Sequence, residues 1–141
     1  MAKLTLEQAN TIIDVAMKKG VEAKMRPLSA AVLDAGGNLV AFKKADNSSV
    51  MRFEIAFGKA YGAVGMGMAS RNLETMAQQR PHFANALAAA SGGKVIPVAG
   101  GVLIKAKDGE VIGAVGVTGD TSDNDELAAK AGIEAAGLTT D

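Results

Sequence analysis

Apolar residues near the start of the chain recur at helical spacing. Ala9, Ile12, Ile13, Ala16 and Met17 share one face. Thr5 and Gln8 stand three apart in the form of a capping box, and Gly20 sits where a helix would stop. Pro27 closes the connection, because the residue before proline is driven out of the α region. Two β-prone runs follow, Ser29 to Leu33 and Leu39 to Lys43, on either side of "DAGGN", and predict a hairpin. The next helix spans roughly Met51 to Met68, with Phe53, Ala56, Phe57, Ala60, Ala63 and Val64 on its apolar face. Four glycines interrupt it (Gly58, Gly62, Gly65 and Gly67), each costing about 1 kcal/mol relative to alanine, so close approach of another backbone is expected there.

The second half alternates in the same way. Ser70 or Asn72 would cap a short helix over "LETMAQQ", and Pro81 suits the first turn of another that ends near Ser91. Val102 to Lys105 and Val111 to Val117 flank "AKDGE", an Asp-Gly hairpin signal, and Val95 to Val98 adds a further strand. A last helix runs from about Ser122 to Gly137 through Leu127, Ala128, Ala131 and Ala135. The order α-ββ-α(αα)-βββ-α predicts an α+β sandwich, an antiparallel sheet with helices packed on it.

Composition narrows the function. A chain of 141 residues is expected to form one domain, residues 1–141, with enough buried surface to fold without staples. Cysteine is absent, which removes disulfides, thiolate nucleophiles and Cys-based zinc sites. Fifteen basic residues balance fifteen acidic ones and form no stripe, and there are four Phe, one Tyr and no Trp. Neither a phosphate backbone nor stacked bases would be held, so nucleic acid is not an expected partner. "MAKLTLEQAN" lacks the apolar run of a signal peptide and no stretch reaches membrane-span length, so no membrane partner and a cytoplasmic location are expected. Abundant small residues suit close helix packing and subunit contacts.

The glycine-rich stretch "PVAGGVLIKAKDGEVIGAVGVTGD" invites a phosphate cradle. Gly113, Gly116 and Gly119 follow a strand and precede a helix, as an anion site would require. No Walker lysine or dinucleotide glycine pattern accompanies them, and Asp120, Asp123, Asp125 and Glu126 already crowd that helix start with negative charge. A calcium loop fails as well, since its sixth position falls on Asp125 or Ala128 where glycine is needed. Capping is the expected use of Ser122 and Asp125. His82, the single histidine, lies at an expected exposed helix start; a surface role competes with ligation of haem iron. Met66, Met68, Met76 and Tyr61 are weaker iron candidates whose spacing suits packing. Arg52 and Lys59 stand seven apart on the long helix, where Arg52 could hold a carboxylate bidentately or form an internal ion pair. Lys59 could move a proton if burial lowers its pKa.

The segments "AAVLDAGGNLVAF", "EIAFGKAYGA" and "VAGGVLIKAKDGEVIGAVGVTGDTSDNDELAAKAG" resemble, in order and spacing, the GlcG/HbpS (DUF336) haem-binding-like family. The resemblance covers nearly the whole chain, residues 69–94 being the least distinctive. It implies a profilin-like α+β fold with a central five-stranded antiparallel sheet flanked by helices, assembled into homo-oligomers. It also implies a pocket lined by the start of the long helix, by Gly100 and Gly101, and by the end of the last strand near Thr118. Haem or a related tetrapyrrole is the implied ligand; other members accompany the catabolism of small organic acids. Arg52 replaces the family's usual serine and Gly62 its threonine, and Val95 stands near a place where a hydroxyl ligand can occur. These departures weaken the case for haem and make a small anionic ligand, held by Arg52 and by backbone N–H groups at Gly100 and Gly101, its rival. The main expectation is a haem or tetrapyrrole binder. The alternative is an isomerase- or lyase-type enzyme for a carboxylated molecule, with Arg52 orienting the substrate and Lys59 or Glu126 moving a proton.

Overall fold

The computed structural model describes residues 3–141. Helix α1 (Leu6–Glu22) leads into the hairpin β1 (Ser29–Asp34) and β2 (Leu39–Lys44). Three helices follow, α2 (Arg52–Met66), α3 (Ser70–Gln79) and α4 (Pro81–Ala90). The hairpin β3 (Gly101–Lys105) and β4 (Val111–Thr118) then precedes α5 (Ser122–Ala135). Both hairpins are antiparallel and join through β1 and β4, giving one sheet in the order β2-β1-β4-β3. The expected capping box of α1 is present, with Gln8 N–H donating to Thr5 Oγ1 and Thr5 N–H to Gln8 Oε1.

Side-chain alternation assigns the two faces of the sheet. Val32, Val102, Ile104, Val115 and Val117 face α1 and α5, where they meet Ile12, Ile13, Ala128 and Ile133 in the larger core. Leu33, Leu103 and Ala114 face the other way, onto Ala60 and Ala63 of α2. Because helices cover both faces, β1 and most of β3 and β4 are buried throughout, whereas the edge strand β2 is half exposed. Helix α2 lies unusually close to the sheet. A Cβ on Gly116 would fall 2.0 Å from the Ala56 carbonyl oxygen, and one on Gly101 2.2 Å from that of Lys59. Glycine in the strands therefore sets the height of the helix above them.

The sheet has four strands, not five. Val95 to Val98, expected as a strand, spends its backbone groups on helices instead. Ile96 N–H donates to Gly58 O of α2 at 3.1 Å, and Val98 O accepts from Ser70 of α3 at 2.7 Å. Pro97 has no N–H for a ladder. Gly58 is the point of contact, for a Cβ there would lie 2.6 Å from Lys94 O and 2.3 Å from Ile96. Gly67 ends α2 in the left-handed conformation, with φ +71°. The expected caps also differ. Thr121, not Ser122 or Asp125, caps α5 by accepting from Asn124 N–H, and Ser70 and Asn72 do not cap α3, which starts after Ala69 without a side-chain cap. Among the described residues no helix is long and apolar enough to cross a membrane.

Candidate functional site

Helix α2 runs over the C-terminal end of β4, which brings two of its cations to consecutive residues of that strand. Arg52, in the first turn, donates from Nη1 to Thr118 Oγ1 at 2.7 Å and from Nε to Ser49 Oγ at 2.9 Å. Lys59 lies two turns further on, where its Nζ donates to Val117 O at 3.0 Å. Nζ also meets Asp125 Oδ2 of α5 at 3.1 Å, and the two residues are only 2 % and 1 % exposed. Asp125 Oδ1 accepts from Asp120 N–H at 2.9 Å, so the pair is tied to β4, α5 and the turn between them.

Burial governs the titration of this pair. It pushes the Lys59 ammonium below its usual pKa and the Asp125 carboxyl above its own, while their mutual attraction opposes both shifts. Asp120 behaves oppositely. Its carboxylate accepts from Arg26 N–H at 2.9 Å and from Asn124 Nδ2 at 2.7 Å, which hold it well below the usual carboxylate range.

A cleft of about 430 Å³ opens over these groups, within the size range of small-molecule sites. Met51, Ile55, Ile96 and Val98 form its apolar wall, and Arg52, Lys59, Thr118, Asp120, Ser122 and Asp125 its polar side. Among the described residues, no carboxylate lies within ion-pair distance of Arg52. Two of the guanidinium's five donors are accounted for by Ser49 and Thr118. The internal ion pair considered for Arg52 is thus not formed. A second depression of about 340 Å³, between the β1–β2 turn and the start of β4, brings together Lys3, Asp34 and Glu110 with apolar residues and no comparable buried charge.

Of the residues expected from the sequence, Arg52, Lys59 and Thr118 converge on the cleft. Gly100 and Gly101 pack behind Lys59 instead: a Cβ on Gly100 would fall 2.8 Å from Lys59 Nζ, and Gly101 N–H is spent on Ser70 Oγ at 2.7 Å. Glu126 points elsewhere, its carboxylate held by Arg71 Nε at 3.2 Å and flanked by Lys130. His82 is exposed in the first turn of α4 and does not line the cleft. Tyr61 stacks on Phe57 with ring centroids 5.6 Å apart, a packing role. Asp125 is the residue the sequence reading placed wrongly, as a cap. The available signal was Lys59 itself, which falls between Ala56 and Ala63 on the buried stripe of α2 and so requires a buried partner.

The profile of a family described as haem-degrading protein HbpS-like matches residues 4–134. A 15.0 kDa protein from the dhaT–dhaS intergenic region of Citrobacter freundii is 28% identical over 134 residues, covering 95% of this chain and 92% of that one. The crystal structure of HbpS aligns with a TM-score of 0.79 and 28% identity, over 94% of this chain and 89% of that one. ORFY, a DUF336 protein of Klebsiella pneumoniae, gives 0.86 and 25% over 97% and 93%. The PduOC:haem complex shares the fold at a TM-score of 0.87 and 24% identity, covering 99% of each chain.

Proposed function

The chain belongs to the HbpS-like family of haem-degrading proteins, and we propose that it binds a largely apolar, carboxylate-bearing ligand in the α2–β4 cleft, a haem-type tetrapyrrole being the instance its family suggests. The observation that carries this reading is the Arg52 guanidinium. It is braced by Ser49 and Thr118, unmatched by any carboxylate among the described residues, and set beside an apolar wall. A guanidinium so placed suits a carboxylate bidentately.

The residues present fit the periphery of haem. Arg52 would take a propionate, and Ile55, Ile96 and Val98 would cover the edge of the ring. A bound haem would itself supply the redox and oxygen chemistry of its iron. Of the residues that line the cleft, only Met51 carries a soft donor, and no imidazole is among them. His82 is therefore not needed for the interaction at Arg52. Homo-oligomer formation and a cytoplasmic location belong to the same proposal. Helix α4, rich in alanine with Phe83 and Leu87, buries no residue within the single chain, which supports a subunit contact there.

Haemin titration followed through the Soret band tests the reading. A saturable shift with one haemin per chain is expected, with affinity falling about 10- to 100-fold in Arg52→Ala, the value of a charge-assisted hydrogen bond of roughly 1.5–3 kcal/mol. His82→Ala is expected to bind as the wild type does. Absence of a saturable shift, or an Arg52→Ala variant with wild-type affinity, would overturn it.

A further inference from the structure

We propose that the cleft is also an acid–base site, in which Lys59, backed by Asp125, moves a proton to and from the carbon beside the carbonyl of a 2-oxo acid whose carboxylate rests on Arg52. The inference depends on the reading of Arg52 as a carboxylate anchor and adds a reaction to it.

Three observations converge. The first is the anchorage of the two cationic heads. Arg52 Nη1 donates to the Thr118 hydroxyl and Lys59 Nζ to the Val117 carbonyl, on consecutive residues of β4. Both residues line the same cleft, so a short acid held by the first has its neighbouring carbons on the side of the second. The second is donor arithmetic. An ammonium carries three N–H groups, and Val117 O and Asp125 Oδ2 account for two at Lys59. Lys59 nevertheless lines the cleft, so the third position of Nζ is left for a ligand. The third is the burial of the pair, which strut duty alone does not call for. Burying both charges costs several kcal/mol per ion before their attraction repays it, and apolar residues could join α2 to α5 without that cost.

The chemistry balances without a co-reactant. Burial lowers the Lys59 pKa, so Nζ can release a proton to solvent and become an amine whose two N–H groups stay on Val117 O and Asp125 Oδ2 while its lone pair takes the third position. The amine takes a proton from C3 of the bound acid, and the C–H electron pair stays on the substrate as an enolate. The new ammonium and the Arg52 guanidinium face that negative charge. The ammonium rotates, exchanges its hydrogens with solvent and returns one to carbon. On a substrate with a second acceptor carbon the same two transfers are an isomerisation. Ile55, Ile96 and Val98 suit an aliphatic chain on the acid.

The test is deuterium wash-in at C3 of 2-oxobutyrate and 4-methyl-2-oxopentanoate in heavy water, followed by proton NMR with the full chain. The wild type is expected to exceed the buffer rate by about 100-fold or more, the range of general-base catalysis. Lys59→Gln is expected to return to the buffer rate. Lys59→Arg keeps a cation against Asp125 and cannot act as a base near neutrality, so it should be folded by circular dichroism and inactive. Asp125→Asn acts through Lys59 and should move the pH profile of exchange as well as its rate. Arg52→Ala should lose exchange and binding together, the latter measured calorimetrically with the same acids. Wild-type exchange at the buffer rate, or either Lys59 variant with wild-type exchange, overturns the proposal. Haemin titration of the same preparation separates the two readings: saturable haemin binding without exchange leaves the ligand site standing and removes the acid–base role.

Discussion

Replacing Lys59 by methionine removes one member of the buried pair while keeping an unbranched stem. Two bonds disappear, to Asp125 Oδ2 and to Val117 O. Asp125, only 1 % exposed, keeps just the bond from Asp120 N–H. Removing one partner of a buried pair costs about 3–5 kcal/mol. That is a large share of the roughly 5–15 kcal/mol that holds an ordinary domain together. The deficit should depend on pH, and both partners give the same sign. Asp125 already has a folded pKa above its unfolded value of 3.8, and losing the lysine raises it further. Its contribution is therefore full below the unfolded value and lost as pH rises through the folded one. In the wild type Lys59 has a folded pKa below 10.5, so its contribution is lost as pH falls through that value. Asp125 is raised in the wild type as well, but less, so the variant gains more than the wild type on acidification. Urea unfolding followed by circular dichroism at pH 7.5 and pH 5 should show the deficit shrinking at the lower pH. A deficit under about 1 kcal/mol at pH 7.5, or one that grows on acidification, would refute the assigned burial energetics.

Two further outcomes follow from packing. Ser70→Ala should cost about 1–3 kcal/mol in the same unfolding assay, because the buried hydroxyl accepts from Gly101 N–H and donates to Val98 O, and both would be stranded. A loss within a few tenths of a kcal/mol would mean that water replaces it. Gly116→Ala and Gly65→Ala should shift the melting temperature in opposite directions. The first drives a Cβ to 2.0 Å from the Ala56 carbonyl and should cost about 3 kcal/mol, whereas the second meets open space and should gain up to about 1 kcal/mol. The reverse order would disprove the close approach of α2 to β4.

The elements were legible where one local rule set them. The capping box of α1, the two hairpins and Pro81 at the start of α4 all formed as their residues indicated. What failed was decided by partners far along the chain. Val95 to Val98 has strand composition, yet its neighbours are Gly58 and Ser70, about 30 to 40 residues earlier, which take its backbone groups. Asp125 stands in the first turn of α5, where a carboxylate ordinarily serves the helix dipole, but its side chain meets a lysine 66 residues away. Arg52, Lys59 and Thr118 were legible as site residues only singly. Their convergence required the strand order, which places β4 in the interior of the sheet under α2. His82 and Glu126 were attractive by residue type alone, and the fold sends both away from the cleft.

The glycines and the buried charges are parts of one arrangement. Lys59 reaches Val117 and Asp125 because the backbone of α2 rests almost directly on β3 and β4. It rests there because Gly101 lies under the Lys59 carbonyl and Gly116 under that of Ala56. Any side chain at those strand positions would lift the helix by more than the hydrogen bonds of Nζ tolerate, since such bonds weaken steeply beyond about 3.2 Å. Gly100 contributes at the same level, its φ of +129° turning the chain so that no Cβ competes with Lys59 Nζ for space. The glycine-rich segment that resembled a phosphate loop therefore works through the helix above it. Its glycines line no part of the cleft, and they fix where two cations of α2 end.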